Sequence, residues 1–148
     1  MSTALVNPYA PNVYNGINDQ SPRGYADIDF TYVYDVVLNP SAVAAGQYIL
    51  QDQKGLDNDA DFVWRGTVLN TYTGSFAVRF SDSNWYWLAN SRILNTNLLG
   101  NASAPSVVWP EIILPAGGRI GIDIQDLSGA ANTIEIAFRG VKRFRVGQ

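Results

Sequence analysis

Short runs of alternating apolar and polar residues, separated by turn-forming residues, recur along most of the chain. In the clearest run, residues 75–80, Phe76, Val78 and Phe80 alternate with small or polar residues. Such alternation has the two-residue period of a β-strand and not the 3.6-residue period of a helix. Gly, Pro and Asn residues punctuate the runs and leave few stretches long enough for a helix. The pattern therefore predicts an all-β fold.

Eight segments carry this pattern, and short strands at this spacing are typical of antiparallel sandwiches and barrels. We predict an antiparallel β-sandwich, preferably an eight-stranded jelly roll, with an immunoglobulin-like sandwich as the alternative. Residues 71–74 are a candidate tight hairpin, and Pro110 indicates an edge strand or a bulge. The predicted strands are residues 28–38, 47–51, 61–72, 75–80, 85–88, 107–114, 119–124 and 133–138.

The first 24 residues differ from the rest, because they lack strand-length alternation and hold three of the seven prolines. We expect residues 1–24 to form an extended arm and residues 25–148 to form the sandwich. Prolines restrict the free arm and so reduce the entropy that it loses on docking. Large aromatic side chains supply contact area at modest entropic cost. The arm is therefore predicted to bind a partner through Tyr9, Tyr14 and Tyr25.

The chain contains no histidine and no cysteine among its 148 residues. These absences exclude disulfides, thiol nucleophiles, Ser-His-Asp triads and most transition-metal sites. Ten Lys and Arg against 13 Asp and Glu give a net charge of −3, without the basic stripe that binding to phosphates requires. No apolar run approaches the ~18 residues of a membrane span, and the N-terminus lacks the pattern of a signal peptide. We expect a protein made in a cytoplasm that works by contact, with no cofactor, nucleic-acid or membrane partner.

Residues 85–87 form a Trp-Tyr-Trp cluster that, together with Trp64 and Trp109, is a candidate platform for stacking sugars. In a short strand, Trp85 and Trp87 lie on the same face. Large aromatic side chains are more commonly buried in a core or a subunit interface, and that alternative stays open here. Carbohydrate binding requires both indoles to be exposed on a concave face.

Charged clusters suggest two further contacts. Residues 57–61 read Asp-Asn-Asp-Ala-Asp, but an EF-hand counted from Asp57 requires a glycine and a glutamate where Phe62 and Val68 stand. A looser calcium site and a solvated loop are the alternatives for this segment. Near the C-terminus the chain is basic, and Arg143 and Arg145 of one copy are candidates to pair with this acidic loop of another.

A hydrolytic pair of carboxylates is the enzymatic alternative. Both glutamates, Glu111 and Glu135, lie in predicted strands, and no catalytic motif surrounds them. A glycosidase requires two carboxylates within about 10 Å of each other in a cleft. We predict that the protein is not an enzyme.

Four strand-and-turn segments stand out, at residues 59–66, 73–83, 114–124 and 132–144. The last contains the pattern Phe-x-Gly-Val-Lys-Arg-aromatic at residues 138–144. Over residues 26–146 these segments resemble small virion structural proteins of tailed bacteriophages, whose chains often end in a similar strand. The resemblance implies a capsid decoration (cement) protein, a β-sandwich on the outside of the head that bridges major capsid subunits.

The resemblance implies the partners as well, namely the major capsid protein and further copies of this chain in a homotrimer. Several weak contacts become strong through effective concentration. Binding only to the expanded capsid stabilises that form by mass action. The expected location is the outer capsid surface of the virion. The alternatives are a tail or collar component of the same virion and a carbohydrate-binding module.

Overall fold

The computed structural model describes residues 12–14, 17–19 and 22–146. These ranges contain ten strands and one short helix, α1, at Asn95–Leu98. The strands are β1 (Asn12–Tyr14), β2 (Ile17–Asp19), β3 (Tyr25–Leu38), β4 (Ile49–Gly55), β5 (Asp61–Tyr72), β6 (Phe76–Ser81), β7 (Ile93–Leu94), β8 (Ser106–Leu114), β9 (Arg119–Asp126) and β10 (Asn132–Arg145). β1 and β2 pair with each other, within the segment predicted to be an extended arm.

Strands β3 to β10 form two four-stranded antiparallel sheets that pack face to face. Sheet 1 has the order β3-β10-β5-β8, and sheet 2 has the order β4-β9-β6-β7. The predicted all-β antiparallel sandwich is therefore confirmed. In the described part of the chain, no helix has the length and apolar character that crossing a membrane requires.

The core lies between the inner faces of the two sheets and is built from the alternating apolar residues. At its centre, Trp64 and Phe138 of sheet 1 contact Phe80 of sheet 2. The three rings pack edge to face, and their centroids lie 5.2–5.7 Å apart. All three side chains are buried. Burying one large apolar side chain contributes about 1.5–3 kcal/mol, so this aromatic contact is a principal link between the sheets.

The predicted strand at residues 85–88 is wrong. Trp85 has a left-handed backbone, with φ at 64°, and only a single bridge joins Trp87 to Ser81. Asp82 explains the difference, since its side chain accepts hydrogen bonds from the backbone N–H groups of Asn84 and Tyr86 and curls the segment into a loop. The fourth strand of sheet 2 is instead the short β7, which the alternation did not predict.

The predicted hairpin at residues 71–74 is also wrong. β5 belongs to sheet 1 and β6 to sheet 2, so the connection crosses between the sheets. The side-chain oxygen of Asn132 accepts hydrogen bonds from the backbone N–H groups of Thr73 and Gly74. The turn is thus held by a residue distant in sequence and not by pairing of its flanking strands.

Pro110 has both of its predicted consequences. β8 is an edge strand of sheet 1, and its pairing with β5 is interrupted, because Val107 faces Gly66 whereas Ile112 faces Trp64. The missing N–H of a proline is tolerated at such a position.

Candidate binding surfaces

A groove lined by two indoles lies on the outer face of sheet 2. Trp85 and Trp87 form one wall, and β4 supplies Gln51, Asp52 and Gln53. We call this set of residues the aromatic groove; its volume is about 680 Å³. Trp85 is 41% exposed, whereas Trp87 is half-buried, so only one of the two indoles is exposed as the sugar-binding prediction requires. The two ring centroids lie 6.1 Å apart, with the ring planes inclined by 51°. The other two tryptophans of the predicted platform are not part of the groove, because Trp64 is buried in the core and Trp109 lies on β8 of sheet 1.

The loop that carries the two indoles is held by its own hydrogen bonds. The Asp82 carbonyl oxygen accepts from the N–H of Trp85, and the Asp82 N–H donates to the Tyr86 carbonyl oxygen, both at 3.1 Å. The Leu88 N–H donates to the carbonyl oxygen of Phe80. The strained backbone of Trp85 is therefore maintained by its surroundings, as strained residues at functional sites are.

Both indoles rest on sheet 2. A Cβ atom on Gly121 would lie 2.6 Å from the Trp85 ring, so only glycine lets this ring approach the strand. The guanidinium of Arg79 lies 4.4 Å from the centre of the Trp87 ring. Asp123 accepts a 2.8 Å hydrogen bond from Arg79, which fixes that cation beneath the indole. The orientation of the rings is therefore set by sheet residues.

A second candidate surface is a row of outward-facing apolar residues on β8. Val107 is 75% exposed, Trp109 is 86% exposed and Ile113 is 55% exposed. We call these three residues the apolar edge. On the opposite edge of sheet 1, β3 exposes Val33 and Val37. Exposed apolar side chains grouped in this way indicate contact surfaces for other macromolecules.

Sequence reasoning missed the apolar edge and the two glutamines of the groove. β8 has apolar residues at both phases of its alternation, and this was the sequence signal for an apolar row on the face turned away from the core. Gln51 and Gln53 alternate with half-buried residues in β4 and so face outward. The outward direction of the glutamines could be predicted from this alternation, whereas their proximity to the indoles depends on the tertiary structure.

The predicted partner-binding arginines differ in their surroundings. Arg143 is bound within its own chain, because its guanidinium donates two 2.9 Å hydrogen bonds to Asp27. Arg145 is exposed at the end of β10, opposite the half-buried Tyr25 of β3. Binding of Arg143, Arg145 or Tyr25 to another chain stays a prediction. Tyr9 and the side chain of Tyr14 lie outside the described residues.

The acidic loop is paired within the chain. Lys142 donates hydrogen bonds to the carboxylates of Asp57 at 2.7 Å and Asp59 at 3.0 Å, and the first of these raises the pKa of Lys142. The backbone N–H of Ala116 donates to Asp61. The carboxylates of this loop and the guanidinium of Arg143 thus have partners within one copy. No group of three potential metal-ligating residues occurs in the described ranges.

The two glutamates lie on the outer face of sheet 1. Glu111 accepts a hydrogen bond from Arg65, and Glu135 accepts one from Asn70. A hydrogen bond with Glu135 raises the pKa of the exposed Asp35. The pair formed by Asp35 and Glu135 therefore lies on the open outer face of sheet 1 and not in the cleft that a glycosidase requires.

No protein-family model, curated protein or solved structure matches the chain.

Proposed function

We propose that the chain is a non-enzymatic structural protein of a tailed-phage virion that binds the outer surface of the head and bridges major capsid subunits. The observation that carries the proposal is the apolar edge, in which Trp109 is 86% exposed. When a partner covers an exposed indole on an edge strand, the burial of its apolar surface makes a large favourable contribution to the binding free energy. The resemblance of residues 26–146 to small virion proteins implies that this partner is the major capsid protein.

Bridging requires two contacts, and sheet 1 offers one at each edge. β8 carries the apolar edge, and β3 carries Val33 and Val37. A protein that touches two neighbouring subunits in this way gains strength from effective concentration. We also propose that copies of the chain associate as trimers, as the resemblance implies.

We further propose that the sandwich is an eight-stranded jelly roll. In support, the orders β3-β10-β5-β8 and β4-β9-β6-β7 make every connection from β3 to β10 pass between the sheets, apart from that between β6 and β7. Two sheets interleaved by such crossings are the arrangement of double Greek keys.

The first test is cryo-electron microscopy of the source particle with this chain traced in the density. The proposal expects ordered copies on the outer head surface, with β8 against a capsid subunit. Density confined to the tail or collar would contradict the head assignment and favour the tail or collar alternative. Absence of the chain from the particle would overturn the proposal.

The second test measures binding to capsids that lack this protein, by co-sedimentation. Trp109→Ser removes the central side chain of the apolar edge and is expected to weaken binding by at least roughly tenfold, because such buried anchors dominate interface energies. Tyr86→Ser is the matched control, since Tyr86 is a 71% exposed aromatic residue of the loop that follows β6, away from β8. Equal binding by both variants would contradict the proposed contact.

A further inference from the structure

We propose that the aromatic groove binds one neutral hexopyranose residue of a glycan. This inference is independent of the capsid proposal, because the groove lies on sheet 2 and the apolar edge on sheet 1. It rests on the shape of the groove, on its free polar groups and on its charge.

The shape favours one sugar ring and not a flat chain of several. With centroids 6.1 Å apart and planes inclined by 51°, Trp85 and Trp87 form a corner and not a continuous platform. A hexopyranose has an apolar face of C–H groups that packs against an indole, in the same way as other apolar groups pack on aromatic rings. One ring seated in the corner contacts both indoles.

The polar side chains suit the hydroxyl groups of that sugar. Gln51 and Gln53 line the groove from β4, and both are exposed. Within residues 22–146 their side-chain amides have no hydrogen-bond partner. Each amide offers two donors and an acceptor, which matches vicinal hydroxyls. A few convergent polar groups beside aromatic walls are the usual composition of a small-ligand site.

The charge favours a neutral sugar over an acidic one. Asp52 is the one ionisable residue among those that line the groove. Its carboxylate accepts a 2.8 Å hydrogen bond from the hydroxyl of Tyr34, a buried core residue of sheet 1, and is therefore turned towards the inner face of sheet 2. The nearby cations of Arg79 and Arg119 lie against the indole rings. The lining residues thus present uncharged groups to a ligand, and they include no cation to pair with an acidic sugar.

The groove is also preorganised. The hydrogen bonds of Asp82 hold the loop, Gly121 seats Trp85, and Arg79 lies beneath Trp87. A ligand therefore orders little of the protein when it binds, which lowers the entropic cost of association.

The test is a glycan array probed with the full chain, followed by calorimetric titration with the methyl glycosides of the sugars that bind. Neutral glycans are expected to bind. Trp85→Ala and the double variant Gln51→Ala/Gln53→Ala are each expected to weaken binding at least roughly tenfold. Tyr86→Ala is the matched control and is expected to bind as the wild type does, because Tyr86 does not line the groove.

A measurement on the unaltered chain guards against misfolded variants. In ¹⁵N-labelled wild-type protein, the indole N–H resonances of Trp85 and Trp87 are expected to shift on addition of the sugar, whereas that of Trp109 is not. The inference is overturned if the array shows no neutral glycan or only acidic ones. Unchanged affinity in both groove variants, or shifts confined to Trp109, would overturn it equally.

Discussion

At the scale of single residues, the buried carboxylate of Asp126 shows how one side chain organises several loops. It accepts hydrogen bonds from the side chains of Asn39, Ser128 and Asn132 and from the backbone N–H of Gly129. Burial acts to raise the pKa of Asp126, but these hydrogen bonds to the ionised form outweigh it and hold the pKa below its ordinary value.

We predict that Asp126→Asn lowers the free energy of unfolding by about 1–3 kcal/mol at neutral pH, because an amide cannot accept all of these hydrogen bonds. A lowered pKa in the folded state stabilises the protein above the unfolded-state pKa of about 3.9. That stability is lost as the pH falls through the folded value. The variant should therefore show a shallower acid dependence in urea unfolding measured across a pH series.

The control for this prediction is Asp29→Asn, which alters an exposed aspartate of β3. Its free energy of unfolding is expected to stay within about 0.5 kcal/mol of the wild-type value, as for most surface substitutions. The same acid slope in both variants would contradict the role given to Asp126.

At the scale of elements, β10 shows where alternation is a sufficient guide and where it is not. The predicted strand at residues 133–138 covers only the first half of β10, which continues to Arg145. The prediction ends early because Gly140 lies beside a bulge and because Lys142 appears too polar for a core strand. Lys142 is buried only because Asp57 and Asp59, from the loop before β5, neutralise it.

Gly140 provides the prediction at this scale. A Cβ atom there would collide with the carbonyl oxygen of Val63 on the neighbouring strand. We expect Gly140→Ala to lower the free energy of unfolding by roughly 2 kcal/mol or more, because backbone must move to relieve the overlap. Gly55→Ala in β4 is the control, since no atom lies within 4 Å of its added Cβ. Equal thermal midpoints for the two variants would contradict the prediction that a side chain at position 140 clashes with the backbone of Val63.

At the scale of the whole molecule, the described members of the core cluster between the two sheets all lie within residues 30–138. We therefore expect the proposed clamp by the N-terminal segment to be separable from folding. Its aromatic residues would add contacts to those of the two sheet edges, and linked contacts strengthen one another through effective concentration.

We predict that a chain lacking residues 1–21 unfolds at nearly the wild-type temperature and binds capsids at least roughly tenfold more weakly. Thermal unfolding by circular dichroism and co-sedimentation with capsids that lack this protein measure the two properties. The full-length chain in the same assays is the reference. Undiminished affinity of the shortened chain would contradict the clamp.

The sequence by itself determined the fold class and most strand positions, because the two-residue period of a strand is a local property of the chain. Residues 61–72 were predicted with the bounds that β5 has. Only the tertiary structure decided which strands pair, since pairing joins residues far apart in the chain. The crossing at residues 71–74, the burial of Lys142 and the contact of Trp85 with Gly121 all depend on contacts between segments that are far apart in the chain. The aromatic groove exists because a loop held by Asp82 folds over sheet 2. The strand order of that sheet cannot be derived from any local sequence pattern.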